Sequence, residues 1–306
     1  MNINLIVILG PTASGKTTLA VHLAKYLGSE IISADSRQIY RGMDLGTGKD
    51  LSEYCVDGVA IPCHLIDIID ADADYSVFDY QQRFFQCFAE ISSRGVLPIL
   101  AGGTGLYLES VLNGYQMCAV PYNPALRKEL AEEPLENLVR RLLALRSSVH
   151  NKSDILDRSR LIRAIEIAGH SRLDPVCPSL PCIEALVVGV RWERRLLRQR
   201  ITVRLRQRLA AGMIEEVRSL HASGVSWERL HYFGLEYRYI GLYLQGILDY
   251  QTMFETLNTK IHQFAKRQET WFRRMVRNGR LIHWLDGADH DSLRKIIENN
   301  VRMVQR

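Results

Sequence analysis

A glycine-rich segment with a lysine and two hydroxyl side chains stands near the start of this 306-residue chain. Residues 10–17 read Gly-Pro-Thr-Ala-Ser-Gly-Lys-Thr, directly after the apolar run 5–9 and before a stretch with helical patterning. Its glycines permit a tight turn, and the following helix N-terminus aims backbone N–H groups at one point. Lys16 adds a positive charge, and the Thr17 hydroxyl can bind Mg²⁺. The segment therefore predicts a phosphate-binding loop (P-loop) for a diphosphate or triphosphate. Its members are Gly10, Pro11, Thr12, Ala13, Ser14, Gly15, Lys16 and Thr17.

Two further polar segments follow predicted strands. Asp35 comes after the predicted strand 30–34, and its carboxylate could hold Mg²⁺ through water, act as a general base, or cap a turn. Thr104 stands among three glycines at 102–105, a pattern that allows close backbone approach to a ligand but also forms ordinary turns. Because the carboxyl ends of parallel strands meet at one edge of a sheet, we expect both segments beside the P-loop.

The acidic residue that a P-loop ATPase needs is not evident. Such an enzyme uses an aspartate at the end of an apolar strand to organise Mg²⁺ and water. The predicted strand 96–101 instead leads into two glycines, and Asp67 is followed by a loop of further aspartates. The pattern weakens an ATPase or kinase interpretation without excluding it.

Alternating strand and helix patterns predict the fold class. The chain is expected to be α/β, with a P-loop NTPase-like parallel sheet flanked by helices and an all-helical insertion domain. Residues 1–114 and 183–306 would form the catalytic core with basic C-terminal helices, and 115–182 the insertion. Strands are expected at 4–9, 30–34, 64–69, 96–101, 185–190 and 281–285. Helices are expected at 16–27, 76–93, 104–112, 124–131, 134–149, 154–169, 193–222 and 254–277.

Charge is distributed unevenly along the chain. Residues 1–90 carry 6 Lys/Arg against 12 Asp/Glu, whereas residues 191–280 carry 18 against 8. A basic rear segment suits a polyanionic partner, although a solvated helical face would give the same count. No apolar run approaches the roughly 20 residues of a membrane span, and no signal peptide is recognised. The six scattered cysteines lack zinc-site spacing. We therefore expect a cytoplasmic protein with free thiols and no membrane segment.

Taken in order, these motifs resemble the tRNA dimethylallyltransferases of bacterial type, which modify the adenosine 3′-adjacent to the anticodon. The segments that carry the resemblance are the P-loop, Asp-Ser-Arg-Gln-Ile-Tyr (35–40), His-Leu-Ile-Asp (64–67), Gly-Gly-Thr-Gly-Leu-Tyr (102–107), Ser-Arg-Leu-Ile-Arg-Ala-Ile-Glu (159–166), the Arg200 and Arg204 pair, and Lys-Arg-Gln-Glu-Thr-Trp-Phe-Arg (266–273). The resemblance covers nearly the whole chain. It implies that the P-loop holds dimethylallyl diphosphate rather than ATP, which fits the missing acidic residue.

The resemblance also implies individual roles. Asp35 would accept the proton of the exocyclic amine, while Thr12, Arg204, Lys16 and Thr17 with Mg²⁺ would neutralise the leaving diphosphate. The tRNA anticodon stem-loop would be contacted by Asp35, Ser36, Arg37, Gln38, Thr104, Arg127, Arg160, Arg163, Lys266, Arg267, Gln268, Trp271 and Arg273. Trp271 suits stacking on an unpaired base as well as a place in the core, whereas Phe272 is expected in the core. The enzyme is expected to act as a monomer.

Departures from the family pattern all lie on the tRNA side. Leu235 stands where tyrosine is expected, the residues ahead of Arg160 read Ile-Leu-Asp-Arg (155–158) rather than Pro-Asn-Asp, and the insertion looks short. Three alternatives therefore stay open. One is an adenylate isopentenyltransferase acting on a free nucleotide, the second is a P-loop small-molecule kinase, and the third is a non-catalytic RNA-binding protein. The basic rear segment argues against the first two, and the intact Asp35, Lys16 and Arg204 argue against the third.

Overall fold

The computed structural model describes residues 3–145, 157–173 and 179–301. The chain divides into two compact units, the first formed by Met1–Tyr115 with Pro181–Arg306 and the second by Gln116–Leu180. Each unit has its own apolar core. In the described part of the chain, no helix is long and apolar enough to cross a membrane.

The first unit is built on a six-stranded sheet whose strands all run parallel. The strands of the chain are β1 (Leu5–Leu9), β2 (Ile31–Ala34), β3 (Cys55–Val56), β4 (Val59–Ala60), β5 (Cys63–His64), β6 (Ile99–Gly102), β7 (Ala185–Arg191) and β8 (His283–Asp286). The sheet order is β5-β2-β6-β1-β7-β8, and β3 with β4 forms a separate hairpin. Every residue of β1 is fully buried because both faces of this central strand are covered, as its unbroken apolar run predicts. The predicted parallel α/β sheet is confirmed.

Helices surround this sheet and fill the second unit. Those of the first unit are α1 (Lys16–Leu27), α2 (Val77–Ser93), α3 (Gly105–Leu112), α7 (Arg194–Ala210), α8 (Met213–Ala222), α9 (Trp227–Phe233), α10 (Leu235–Leu244), α11 (Tyr250–Arg277) and α12 (His290–Asn300), with a 3-10 turn at Leu51–Tyr54. Those of the second unit are α4 (Pro124–Ala131), α5 (Leu135–Leu145) and α6 (Arg158–Leu173). The described residues of the second unit contain no strand, and its core includes Leu130, Leu138 and Leu161. The predicted residues 146–149 and 154–156 of its helices, and most of the proline-rich loop at 174–181, lie outside the described residues.

The predicted strand 64–69 is wrong beyond His64. Leu65 and Asp67 adopt left-handed conformations, with φ of 62° and 54°. The buried ammonium of Lys49 explains this bend, because it donates to the Tyr40 carbonyl at 2.8 Å and forms ion pairs with Asp44 and Asp67. A charge buried at this place needs all of these acceptors, and satisfying it takes Asp67 out of the sheet.

The predicted helix 193–222 is also wrong as a single helix. It breaks at Gly212, whose φ of 103° ends α7 and starts α8 in a new direction. The apolar stripe within α7 is confirmed, since Leu197, Ile201 and Leu205 are buried in one cluster with residues of α11. That cluster fixes α7 and α11 beside the sheet edge.

Cysteine chemistry differs from expectation at one described position. Cys55, Cys63, Cys87 and Cys182 are free thiols, whereas Cys118 is disulfide-bonded. Cys177 lies outside the described residues. The expectation of free thiols is therefore wrong for Cys118, because sequence spacing does not reveal which cysteines approach each other.

Candidate active site

The P-loop forms a tight backbone nest between β1 and α1. Ala13 and Gly15 have positive φ values of 61° and 86°, which turn successive N–H groups toward one side. A Cβ at Gly10 would lie 2.6 Å from the Ser14 hydroxyl oxygen, so only glycine fits the turn. Helix α1 starts at Lys16 without a side-chain cap. Its first N–H groups are thus available to an anion, and this geometry suits a diphosphate.

Two residues of the rear half hold the outer side of the P-loop. The Trp192 indole N–H donates to the Ser14 carbonyl at 2.9 Å, and Arg200 Nε donates to the Ala13 carbonyl at 2.9 Å. The Arg200 guanidinium also lies 4.4 Å from the centre of the Trp192 ring. Because these contacts occupy carbonyls on the outside of the loop, its N–H groups are kept pointing inward.

Gln268 joins the P-loop to the glycine-rich segment after β6. Its Oε1 accepts from the Thr12 N–H at 2.9 Å, and its Nε2 donates to the Gly103 carbonyl at 2.9 Å. The side chain is buried, at 8 % exposed. One amide thus links the two segments that the sequence predicts to hold the two substrates.

Replacing this amide tests the bridge. We expect Gln268→Leu to lower the free energy of unfolding by about 1–3 kcal/mol, because the Thr12 N–H and the Gly103 carbonyl would lose their partners. Urea denaturation would measure the difference, provided that the dependence of the unfolding free energy on urea concentration is the same in both proteins. Gln263→Leu, at an exposed position of α11, is the matched control and should change stability by about 0.5 kcal/mol or less. Equal stability of the two variants would show that the bridge contributes nothing.

Three cations of the first unit converge beside the P-loop. Burial lowers the pKa of Lys16 to about 8, with Arg204 and Arg208 adding to the effect and the Asp35 carboxylate opposing it. Arg204 donates to the Gly48 carbonyl at 3.4 Å. Arg204 and Arg208 also line one small cavity with Thr12 and Ala13 of the P-loop. Cations that repel each other while losing hydration are stabilised by an incoming anion.

Asp35 and Thr104 lie at the same sheet edge, as predicted. The Thr104 N–H donates to the Ala34 carbonyl at 3.1 Å, and its hydroxyl accepts from the Ser36 N–H at 3.1 Å. Asp35 Oδ1 accepts from the Arg37 N–H at 2.9 Å, so the carboxylate also caps the turn. That turn uses only one of the two carboxylate oxygens.

The polar residues after Asp35 are each held by the protein. Gln38 donates to the Gly48 carbonyl at 3.1 Å, and the Arg37 guanidinium lies 5.3 Å from the centre of the Tyr232 ring. The Gly48 carbonyl therefore accepts from both Gln38 and Arg204. These contacts tie the predicted acceptor segment to the loop beside the cations.

Some of the residues of α11 that are predicted to contact tRNA are exposed to solvent. Lys266, Arg267 and Arg273 are exposed. Trp271 packs against Gly105, lies 4.0 Å from the Arg274 guanidinium, and has a buried indole N–H with no hydrogen-bond partner among the described residues. Phe272 is in the core, as expected, at 1 % exposed.

Comparisons with known proteins decide the family. The family described as IPP transferase matches residues 38–275, and the one described as isopentenyl transferase matches residues 1–58. The chain belongs to the IPP transferase family. A protein named tRNA dimethylallyltransferase 1 from Syntrophus aciditrophicus is 60 % identical over 301 residues, covering 98 % of this chain and 99 % of the relative. One named tRNA dimethylallyltransferase 2 from Trichlorobacter lovleyi is 57 % identical, covering 93 % and 92 %.

Solved structures agree with the family assignment. The crystal structure of a tRNA isopentenylpyrophosphate transferase from Bacillus halodurans has a TM-score of 0.69 and 33 % identity, covering 97 % of this chain and 94 % of that one. A eukaryotic dimethylallyltransferase acting on tRNA has a TM-score of 0.77 at 22 % identity, covering 100 % of this chain and 82 % of that one. The second likeness supports the fold alone. The resemblance read from the motifs is confirmed.

In this IPP transferase family member, the predicted basic contacts of the second unit bind a carboxylate of their own. Arg127 and Arg163 both pair with Glu166, at 2.8 Å and 2.5 Å, and the Glu166 side chain is 2 % exposed. Burial acts to raise the pKa of Glu166, but the bonds from Arg127 and Arg163 outweigh it and hold the pKa at about 2. Arg160 is exposed on the same helix. Glu166 is thus a structural anchor that spacing alone did not single out.

The Mg²⁺ prediction rests on Thr17. No group of three or more metal-binding side chains occurs in the described ranges. Asp67 forms an ion pair with Lys49, so its carboxylate does not take the role of the Mg²⁺-organising aspartate of an ATPase. A single threonine hydroxyl beside a phosphate nest fits Mg²⁺, since this ion keeps several waters and takes its other ligands from substrate phosphates.

Sequence reasoning missed two contributors to this site. Glu216 accepts from the N–H groups of Leu45 and Gly46 at 2.6 and 3.0 Å and so fixes the loop that carries Gly48. Arg208 follows Arg204 by one helical turn and faces the same cavity. The four-residue spacing of the arginines was a usable signal for Arg208, whereas no sequence signal marked Glu216.

Proposed function

We propose that the chain transfers a dimethylallyl group from dimethylallyl diphosphate to the N6 amine of the adenosine 3′-adjacent to the anticodon in tRNA. The observation that carries this proposal is the meeting of a P-loop and its cations with Asp35 at one sheet edge, while Asp67, the candidate acidic residue of an ATPase, is paired with Lys49. A site of this kind holds a diphosphate and a proton acceptor together. Membership in the IPP transferase family supports the same reaction.

The proposed reaction assigns a role to each of these residues. The amine nitrogen of adenine attacks the allylic carbon, the carbon–oxygen bond breaks, and diphosphate leaves with the bonding pair. Asp35 accepts the proton that the amine nitrogen loses. Thr12, Lys16 and Arg204 stabilise the charge that develops on the diphosphate. Mg²⁺, held by Thr17 and the diphosphate oxygens, would supply further charge neutralisation.

The acceptor is a tRNA whose target base leaves its stack to reach the site. Ser36, Arg37, Gln38 and Thr104 are proposed to contact the nucleotide, because they surround Asp35. The exposed Lys266, Arg267 and Arg273 suit phosphate contacts, and Gln268 and Trp271 of the same helix complete the proposed tRNA contacts of α11. Arg127, Arg160 and Arg163 are proposed to contact tRNA from the second unit. We place the reaction in the cytoplasm and assign it to a monomer.

A salt series separates this function from a small-molecule kinase. We expect unmodified tRNA to bind, with an association constant that falls by about 0.7–0.9 log units per log unit of salt for each phosphate contacted. Residues 191–280 carry 18 Lys/Arg against 8 Asp/Glu. This excess of positive charge favours tRNA over a free nucleotide as the acceptor. Salt-independent weak binding of tRNA, together with ATP turnover, would instead favour the kinase.

A further inference from the structure

Arg208 lies against the backbone of Gly48. Gly48 has a φ of 73°, and a Cβ built there would overlap Nη2 of Arg208 and lie 2.9 Å from Nη2 of Arg204. The two guanidiniums therefore reach the same loop from consecutive turns of α7. Glycine at position 48 is what leaves space for the second one.

The Arg208 guanidinium has an unused donor. Its Nη2 atom is buried and has no hydrogen-bond partner among the described residues. Burial, followed by the neighbouring Arg204, lowers the pKa of Arg208 to about 10. A guanidinium in such a place is destabilising unless an anion pairs with it.

The small cavity that Arg208 lines borders the P-loop. Its lining includes Thr12 and Ala13 of that loop, together with Arg204, Arg208 and Glu236. Burial raises the pKa of Glu236, and Arg208 opposes this effect. Glu236 is the carboxylate in this lining, and its charge acts to raise the pKa of Arg208 against the larger effect of burial.

We propose that Arg208 is a second diphosphate-binding arginine, which Gly48 admits and which acts beside Arg204 on the leaving group. The inference rests on the proposed function, since it assigns a residue to the donor side of that site. A bidentate guanidinium would then share the charge on the diphosphate with Lys16 and Arg204. The unpaired Nη2 atom and the glycine beneath it are both explained by an anion that arrives with the substrate.

Calorimetric titration with inorganic diphosphate and Mg²⁺ tests this role. We expect Arg208→Met to raise the dissociation constant about tenfold or more, because one charge-assisted pair is lost. Arg206→Met is the matched control, since Arg206 is exposed on the same helix and the charge change is equal. That control should bind diphosphate like the wild type. Diphosphate binding by Arg208→Met that equals the wild type would overturn the inference.

A second Arg208 variant and a tRNA-binding measurement complete the test. If Arg208→Met fails to fold, Arg208→Lys keeps the charge but loses the planar fork, and it should still bind diphosphate several-fold more weakly. Affinity for tRNA should be unchanged in the Arg208 variants, and a loss confined to tRNA would contradict the assignment. Failure of the wild type itself to bind diphosphate would contradict the proposed function instead.

Discussion

Asp35→Asn is expected to lower kcat by about 10²–10⁴ while tRNA binding is retained. Asparagine keeps an oxygen that can accept from the Arg37 N–H, now at 2.9 Å from Asp35 Oδ1, so the turn is preserved. What it lacks is a carboxylate that can take a proton from the amine. Steady-state kinetics with saturating tRNA and dimethylallyl diphosphate would measure kcat, and filter binding would measure tRNA affinity.

The control for Asp35→Asn is Asp72→Asn, which makes the same change at an exposed position of the acidic loop. It should leave kcat unchanged. Full activity of Asp35→Asn would remove the general-base role and leave Asp35 as a turn cap. A lower melting temperature for Asp35→Asn, but not for Asp72→Asn, would indicate that asparagine caps the turn less well. The kcat values would then be compared at a temperature below the unfolding transition of Asp35→Asn.

Lys16→Met is expected to lower kcat/KM for dimethylallyl diphosphate by about 10²–10³. The ammonium stands at the start of α1, where backbone N–H groups already favour an anion, and Lys16 is the charged residue of the P-loop itself. Lys25→Met makes the same change at the other end of α1, where Lys25 pairs with Asp57 at 2.5 Å. The Lys25→Met control should retain full kcat/KM. Equal kcat/KM values for the two variants would exclude a role of Lys16 in stabilising the diphosphate.

The pH dependence of the donor gives an independent view of Lys16. Its pKa is lowered to about 8, so the free enzyme loses the ammonium charge as pH rises through that value. The KM for dimethylallyl diphosphate should therefore be flat below pH 8 and rise above it, by up to about tenfold per pH unit. Lys16→Met should lose this rise, and a wild-type KM that is constant up to pH 10 would contradict the assignment.

The donor side of the site could be predicted from the sequence because its parts are local. The P-loop is one continuous segment whose strand, turn and helix follow each other, and Asp35 and Thr104 follow strands of the same sheet. Parallel strands bring such residues to one edge whatever the loops between them do. The alternation of elements was enough for that conclusion.

Contacts between distant segments could not be predicted in this way. Gln268 meets Thr12 across 256 residues, and nothing in the spacing of either segment announces that contact. Lys49 bends the chain after His64 by burying a charge, which overrides the strand pattern of 64–69. The space beneath Arg208 depends on Gly48, in a loop that is fixed by Glu216. Each of these features depends on packing partners that one sequence does not specify.

The tRNA contacts stay predictions for a related reason. Their side chains were assigned through the family resemblance, and part of the set is bound to the protein itself, as Arg127 and Arg163 are to Glu166. An arginine held by a buried carboxylate can still present its remaining N–H groups to a phosphate. Measuring tRNA affinity after substitution at each position is what decides among them.

The most direct test of the proposed activity is transfer of the labelled dimethylallyl group from dimethylallyl diphosphate, with Mg²⁺, to unmodified tRNA, with AMP and ATP in parallel reactions. The structure and the family predict label in one adenosine, the residue 3′-adjacent to the anticodon, and none in AMP or ATP. Label in AMP or ATP alone would mean that the acceptor is a free nucleotide. No transfer to any acceptor, with ATP turned over instead, would contradict the proposed transferase activity.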